Sequence, residues 1–229
     1  MPLVCLFVWS CVAETATDHL KRAAKTYSQL KSFQIESLSE RFVDGRGPST
    51  SIVLVLYALP PHKARIETKT TGNAVQSIMI SNGRTVTEYR TRRNEFTVVP
   101  AKRIPVSFDP DRGIGWGEML YDTVAKRIGT ATIRAREAIQ IGSESKQCIV
   151  VDVVYKGHIS KFSFWISDDE KGLILRRVVT FMRDGVAETM VSTARAVTVD
   201  DHLADDIFEF FPPSNAKEVQ LPDIRLLKN

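Results

Sequence analysis

The sequence has few cysteines and few histidines, and it lacks the motifs of the large enzyme classes. Three cysteines and four histidines occur among 229 residues. Two of the cysteines, Cys5 and Cys11, lie at the extreme amino terminus, so removal of that segment would leave Cys148 without an intrachain disulfide partner. There is no Gly-x-Ser-x-Gly elbow, phosphate loop or His-Glu-x-x-His pair. We therefore expect a protein that is not an enzyme and holds neither a cofactor nor a metal.

The remaining polar residues that could carry chemistry have simpler structural explanations. Four histidines are far apart in sequence and are expected to be solvated: His19, His62, His158 and His202. The glycines of residues 113–117 follow a proline-rich loop and not a strand, so they do not form a dinucleotide site. Four aspartates lack the alternating spacing of a calcium loop: Asp200, Asp201, Asp205 and Asp206. Cys148 is expected to be a buried strand cysteine.

The composition is that of an ordinary globular protein with one core. Hydrophobic residues make up 43% and charged residues 25%, which is enough apolar material for one sizeable core in a single domain. The net charge is +4, but the basic residues are spread among 27 acidic ones and form no tract. We therefore expect no nucleic-acid partner, and we expect a monomer.

The first 13 residues are uncharged and almost wholly apolar. Their length is typical of the apolar part of a signal peptide and is too short to span a bilayer as a helix. Export with cleavage before Glu14 is one interpretation. Val8-Trp9-Ser10-Cys11 is similar to a lipobox, so a second interpretation is acylation of Cys11. A buried terminal element is the third.

The stretch from Gln147 to Phe181 predicts three consecutive antiparallel strands. Ile149, Val151 and Val153 recur at the two-residue period of a strand with one buried face. Phe162 and Phe164 repeat this period in the next strand, where Trp165 is the exception because it stands on the polar face. The short connections indicate a meander of neighbouring strands, and Met182-Arg183-Asp184-Gly185 predicts a further turn.

The rest of the chain predicts more strands and two amphipathic helices. Leu20 to Leu30 has helical spacing, with Thr17 or Asp18 as the N-cap. A second helical pattern covers Trp116 to Ile128. The other predicted strands are Ser32 to Val43, Thr50 to Leu59, Ala64 to Thr70, Gln76 to Ile80, Arg84 to Arg90, Glu95 to Val99, Ile133 to Ile141 and Val186 to Val199, with the Asn82-Gly83 turn between the fourth and fifth of these.

These elements predict a mainly β fold with some helix. About ten antiparallel strands without βαβ alternation favour a strongly curved sheet, an unclosed β-barrel whose helices cover the concave face. We expect residues 1–13 to be a signal peptide, residues 14–220 to form one domain and residues 221–229 to be a loosely held tail.

Two short motifs are informative together: Asn82-Gly83-Arg84-Thr85 at a hairpin, and Phe-x-Phe-x-Pro-Pro from Phe208 to Pro213. They resemble the hairpin motif and the closing motif, which is intact here, of the LolA/LolB superfamily of bacterial lipoprotein carriers. The resemblance extends from about Asp18 to Val219. It implies a helix-lidded open barrel, a hydrophobic cavity, a periplasmic location and the carriage of acylated lipoproteins or other lipids between inner- and outer-membrane transfer partners.

One position departs from the family pattern. The arginine that holds the helical lid in similar carriers would align with Pro60, which cannot donate in the same way. Arg65, shortly after Pro61, is the alternative candidate for this role. The substitution leaves open a relative that binds another lipid, or a membrane-anchored lipoprotein acceptor or envelope lipid sensor of the outer membrane.

The apolar residues on the predicted concave face are the candidate lipid contacts. The strands contribute Ile66, Phe162 and Phe164, and the second helix contributes Trp116, Met119 and Leu120. We expect these side chains to bind acyl chains through apolar contacts, with catalysis and metal binding absent.

Overall fold

A capped amphipathic helix precedes the sheet. The computed structural model describes residues 14–59, 63–101, 128–157 and 159–220, and in it α1 spans Ala16–Gln29. Its N-cap is Thr15, whose hydroxyl accepts a hydrogen bond from the Asp18 amide while the Asp18 carboxylate accepts one from the Thr15 amide. This capping box satisfies two amides at the helix start. The predicted N-caps were therefore wrong, because the helix begins earlier and Asp18 supports Thr15.

Twelve strands form one sheet, and strands make up 61% of the described residues. The strands are β1 Phe33–Val43, β2 Thr50–Leu59, β3 Lys63–Thr70, β4 Val75–Asn82, β5 Thr85–Arg90, β6 Glu95–Pro100, β7 Ile128–Ile141, β8 Glu144–Tyr155, β9 Lys161–Ser167, β10 Ile174–Arg183, β11 Val186–Val199 and β12 Lys217–Glu218. Their order is β12-β6-β5-β4-β3-β2-β1-β11-β10-β9-β8-β7, and every pair is antiparallel except β12 with β6. The predicted antiparallel fold with an unclosed barrel is thus confirmed.

Two-residue turns and an asparagine cap fix the register of the hairpins. Asp184 and Gly185 both have positive φ and join β10 to β11, as the mirror-image turn of a tight hairpin requires. The Asn82 side chain accepts hydrogen bonds at 3.0 Å from the amides of Arg84 and Thr85, which closes the β4–β5 turn. The β10–β11 turn occupies the second half of the predicted turn, and the β4–β5 turn, Gly83-Arg84, lies one residue after the predicted Asn82-Gly83.

The sheet curls at one end and thereby acquires a concave face. Three strands, β10, β9 and β8, lie between β11 and β7 in the sheet order, yet β7 and β11 are in contact. Strand β7 also contacts α1. The β7–β8 turn reaches β11, where the Arg195 carbonyl oxygen lies 4.0 Å from the Cβ position at Gly142. We call the face toward α1 the concave face and the opposite one the outer face.

The core lies between α1 and the concave face. The inward side of the helix consists mainly of Leu20, Ala23 and Tyr27, and these side chains pack with Phe33 and Ile35 in one hydrophobic cluster. The rings of Tyr27 and Phe33 meet edge to face at 5.3 Å. The Tyr27 hydroxyl also accepts a hydrogen bond of 3.1 Å from the Ile174 amide. The helix therefore covers the concave face, as predicted.

Trp165 shows why the alternation of β9 is broken. Its side chain lies on the outer face of the strand, opposite Phe162 and Phe164, but it is only 5% exposed. The guanidinium groups of Arg134 and Arg176 lie over the indole at 5.3 and 4.8 Å from its centroid, and its Nε1 donates to Glu137 at 2.7 Å. The two cations therefore help to bury this aromatic ring.

Several boundary predictions differ from the structure. The second predicted helix, Trp116 to Ile128, lies outside the described residues except for Ile128, which begins β7. Strand β7 starts five residues before the predicted Ile133 because Ile128 and Thr130 pair with Tyr155 and Val154 at the end of β8. His19 was predicted to be solvated, but it is 4% exposed on the inward side of α1. Pro60, Pro61, His62 and His158 lie outside the described residues.

The bond between α1 and β10 leads to a first prediction. Tyr27→Phe keeps the ring but leaves the buried Ile174 amide without its acceptor, so the free energy of unfolding should fall by about 1–3 kcal/mol. Ser28→Ala, on the exposed side of the same helix, is the matched control and should change it by less than about 0.5 kcal/mol. Urea denaturation measures both, and equal stabilities would contradict this role of Tyr27.

The burial of His19 leads to a second prediction. Burial lowers the pKa of the imidazole and is the largest effect. Glu14 raises this pKa and Arg22 lowers it, both from close range. Asp168 raises it and Arg136 lowers it by smaller amounts. Because the folded pKa lies below the unfolded one, the unfolded chain binds more protons as the pH falls below about 6.5. The stability that burial of neutral His19 contributes is therefore fully present above this pH and is lost as the pH falls below it.

His19→Gln removes this titration and should make stability less dependent on pH between about pH 7 and pH 5. The contribution of one proton has a limiting slope of about 1.4 kcal/mol per pH unit. Urea denaturation across this range measures the slope. If wild type and variant lose stability in parallel, His19 is not the titrating group.

Candidate functional site

The concave face carries an apolar surface built by alternating residues of several strands. Phe162 and Phe164 point to this face from β9, and their rings lie parallel at 6.2 Å. Tyr155 of β8 meets Phe162 edge on at 4.9 Å. On the other arm of the sheet, Ile66 of β3 pairs with Leu56 and Met79. The strand period alone places these residues on one face.

The structure unites the strand residues that the sequence predicted as lipid contacts. Ile66, Phe162 and Phe164 are 3–4% exposed and belong to one hydrophobic cluster. Five strand spacings separate β3 from β9, about 24 Å in a flat sheet. They share a cluster because α1 and intervening side chains fill the curved face between them. Trp116, Met119 and Leu120 lie outside the described residues.

A buried polar row crosses the same face and was not predicted from the sequence. Arg177, Ser192 and Ser39 are register neighbours on three adjacent strands, and each is less than 5% exposed. The Ser39 and Ser192 hydroxyls are 3.0 Å apart. Nearby, the Arg41 guanidinium donates to both carboxylate oxygens of Glu188, at 2.9 and 2.6 Å. The concave face is therefore apolar with a polar strip.

The outer face carries an open cleft of about 490 Å³ beneath the last part of the chain. We call residues 205–219 the closing segment; its 3-10 turn, Asp205–Phe208, contacts β3 and β4. The floor of the cleft is formed by Tyr57, Arg65, Glu67, Ile78 and Tyr89 of four neighbouring strands. The closing segment forms the wall. The cleft and α1 thus lie on opposite faces of the sheet.

The closing motif anchors this segment by two of its three phenylalanines. Phe208 is fully buried. Phe210 packs against Tyr89 and Phe96, with ring centroids 5.6 and 5.2 Å apart. Phe211 is 75% exposed beside the cleft. The rings of Phe208 and Phe210 therefore attach the segment to the sheet, whereas the ring of Phe211 is exposed to solvent.

Arg65 supports the closing segment and not the helix. Its Nη1 donates to the Ile207 carbonyl at 3.2 Å, and its Nε donates to Glu67 at 2.7 Å. Burial alone would raise the pKa of Glu67, but hydrogen bonds from Lys69 and Arg65 outweigh burial, so the pKa is lowered and the group is ionised. Arg65 therefore holds the closing segment on the face of the sheet opposite to α1, and does not hold the helix.

The described residues bring together no metal-binding group, and their one cysteine is a weak nucleophile. Cys148 is buried, as predicted, and burial together with nearby carboxylates raises the pKa of its thiol to about 12. This thiol is protonated near neutral pH and is a poor nucleophile. Within the described residues no three histidine, cysteine or acidic side chains come close enough to hold a metal ion. Nor is any described helix both long and apolar enough for a membrane span.

Comparison with protein families gives one match. Residues 121–222 match a family described as a predicted periplasmic protein, DUF2092. This match agrees with the periplasmic location that the sequence predicted. No curated protein matches the chain.

Solved structures share the architecture at low sequence identity. A conserved protein from Thermus thermophilus, whose crystal structure is known, is 14% identical, with 90% of this chain and 99% of that chain covered and a TM-score of 0.53. This likeness shows a common fold. Other similar structures are a LolA superfamily protein from Nitrosomonas europaea (11% identity, 86% and 99% covered, TM-score 0.41) and the lipoprotein LppX of Mycobacterium tuberculosis (9%, 83% and 98%, TM-score 0.47).

The closing motif leads to a third prediction, which compares two phenylalanines three residues apart. Phe208→Ala removes a fully buried ring and should lower the free energy of unfolding by about 3–5 kcal/mol. Phe211→Ala removes an exposed ring and should change it by less than about 0.5 kcal/mol. Urea denaturation measures both values. Similar losses in the two variants would contradict the assigned roles.

Proposed function

We propose that this protein is a periplasmic lipid-binding protein that holds acyl chains against the concave face of its open sheet. The observation that carries the proposal is the apolar surface that Ile66, Phe162 and Phe164 form on that face, in one hydrophobic cluster with α1. Trp116, Met119 and Leu120 are proposed to complete the apolar wall. The common fold and the periplasmic family that matches residues 121–222 support the proposal.

The inward side of α1 is suited to exchange with a ligand. Of its buried residues, Ala16, Ala23 and Ala24 have small side chains and therefore bury little apolar area. Separation of such a helix from the sheet costs less than separation of a leucine-rich one. An acyl chain that takes over part of this contact would restore apolar burial on Ile66 and Phe162.

The energetics set the condition for taking up a lipid. Burial of one methylene is worth about 0.8 kcal/mol, so a chain of about sixteen carbons gains on the order of 10 kcal/mol. The same chain is already buried in a bilayer, so the protein must offer a comparably apolar surface. A protein that also delivers its lipid must release it, and an alanine-rich helix that can return to the sheet provides a competitor for the same surface.

The finer proposal is a carrier that receives acylated lipoproteins or other lipids from an inner-membrane partner and delivers them to the outer membrane. It acts by binding and release without catalysis. The resemblance of Phe208 to Pro213 to the closing motif of lipoprotein carriers supports this role. An anchored acceptor or envelope lipid sensor with the same fold is the second candidate, and it is favoured by the lipobox-like Val8-Trp9-Ser10-Cys11.

A fourth prediction tests the acyl-chain site with two substitutions of the same chemistry on opposite faces. Met79→Glu places a charge next to Ile66 on the concave face. Binding of a fluorescent fatty acid should fall at least about tenfold, because an acyl chain that covers the new carboxylate would remove it from water without a compensating partner. Val154→Glu changes a partly exposed residue on the outer face of β8 and should bind like wild type. Leu120→Glu should behave like Met79→Glu.

Circular dichroism verifies that each variant keeps its strand content. Failure of wild type to bind fatty acid, phospholipid or an acylated lipopeptide would reject the lipid-binding proposal. Equal binding by the Met79 and Val154 variants would place the site elsewhere. Mass analysis of the mature protein from the envelope separates the two candidate roles, since a chain starting at Glu14 supports the soluble carrier and an acylated Cys11 supports the anchored protein.

A further inference from the structure

The outer cleft is a second site, separate from the concave face. Its volume of about 490 Å³ lies within the usual range for small-ligand pockets. Its floor belongs to strands β2 to β5, and its wall is the closing segment, which the Arg65 bond to Ile207 holds in place. No residue of the floor or of the wall belongs to the hydrophobic cluster under α1, although the floor and the cluster draw on some of the same strands. A ligand here would not compete with an acyl chain.

The cleft presents aromatic rings to its opening. Tyr57 and Tyr89 contribute to the floor, and Phe210 lies against Tyr89. Phe211, also a lining residue, is 75% exposed although the neighbouring Phe208 is fully buried. Phe211 therefore offers an accessible aromatic face at the edge of the cleft.

The charges at the cleft sum to a negative value. Glu67 on the floor is paired with Arg65 at 2.7 Å and with Lys69 at 3.0 Å, so these three groups together carry one net positive charge. Asp206 and Glu209 at the rim have no basic group within 4.0 Å in the part of the chain that the structure describes. Their neighbour Asp205 differs, because it points away to Lys63 at 2.7 Å. The cleft thus combines π-faces with two free carboxylates.

We propose that this cleft binds a cationic amphiphile: a single ammonium or guanidinium group carried on an aromatic or aliphatic body. The cation would lie between the carboxylates of Asp206 and Glu209 and over the ring of Phe211, where Coulomb attraction and the cation–π interaction act together. The apolar body would lie on Tyr57, Ile78 and Tyr89. Such a group can come from a free amine or from a lysine or arginine side chain of a peptide.

The test uses three ligands that share a phenyl ring and a two-carbon side chain and carry head groups of different charge. The full chain is titrated near neutral pH with phenethylamine, phenethyl alcohol and phenylacetate, and binding is followed by the chemical shifts of ring protons of the protein. Saturable binding of the amine is expected, with the alcohol weaker on the order of tenfold and the acetate weaker still. A parallel titration with acetyl-Phe-Lys-amide distinguishes a free amine from a cation carried by a peptide. Whichever of phenethylamine and the peptide binds more tightly identifies the source of the cation.

Substitutions place the bound cation. Asp206→Asn with Glu209→Gln should reduce amine binding on the order of tenfold and abolish the preference over the alcohol. Asp205→Asn removes an adjacent carboxylate that faces Lys63 and should change binding less than about twofold. Phe211→Ala should weaken binding with no loss of folding stability. The proposal is overturned if the three ligands bind equally, if the amine and the peptide both fail to bind, or if the double variant binds like wild type.

Discussion

The packing of one helix into the curl of the sheet is the contact on which the rest of the structure depends. Tyr27 contributes to it twice, by its edge-to-face contact with Phe33 and by the hydrogen bond from the Ile174 amide. These two contacts join the helix to β1 and to β10, which lie on either side of β11. The helix therefore covers the interior of the curl, and β7 bends over it without pairing with the opposite edge of the sheet.

An open sheet has two faces to cover, and this chain covers them with its two ends. The amino-terminal helix packs on the concave face, while the closing segment packs on the outer face through Phe208 and Phe210. Strand β2 takes part on both sides, since Leu56 belongs to the cluster under α1 and Tyr57 lines the outer cleft, and the strand is buried on both faces from Val53 to Leu56. The two candidate binding surfaces therefore lie on opposite sides of the same strands, and each has its own cover.

Much of the sheet could be predicted from the sequence because strand periods and turn chemistry are local signals. The alternation of Phe162 and Phe164 and the Asp184-Gly185 turn needed no knowledge of distant residues. Features that depend on contacts across the fold were missed. His19 has the spacing of the inward helix side but was read by its residue type, and the row of Arg177 with Ser192 and Ser39 exists only once three strands are aligned. Similarly, Arg65 finds its partner Ile207 142 residues away.

The central claim is that the concave face holds acyl chains in the cell envelope. Native mass spectrometry of wild-type protein purified from its own envelope in the absence of detergent tests it most directly. The account predicts protein ions that carry adducts with the masses of acyl lipids or lipoproteins, which dissociate on collisional activation. Ions of the bare polypeptide alone, both after purification and after incubation with an extract of envelope lipids, would contradict it.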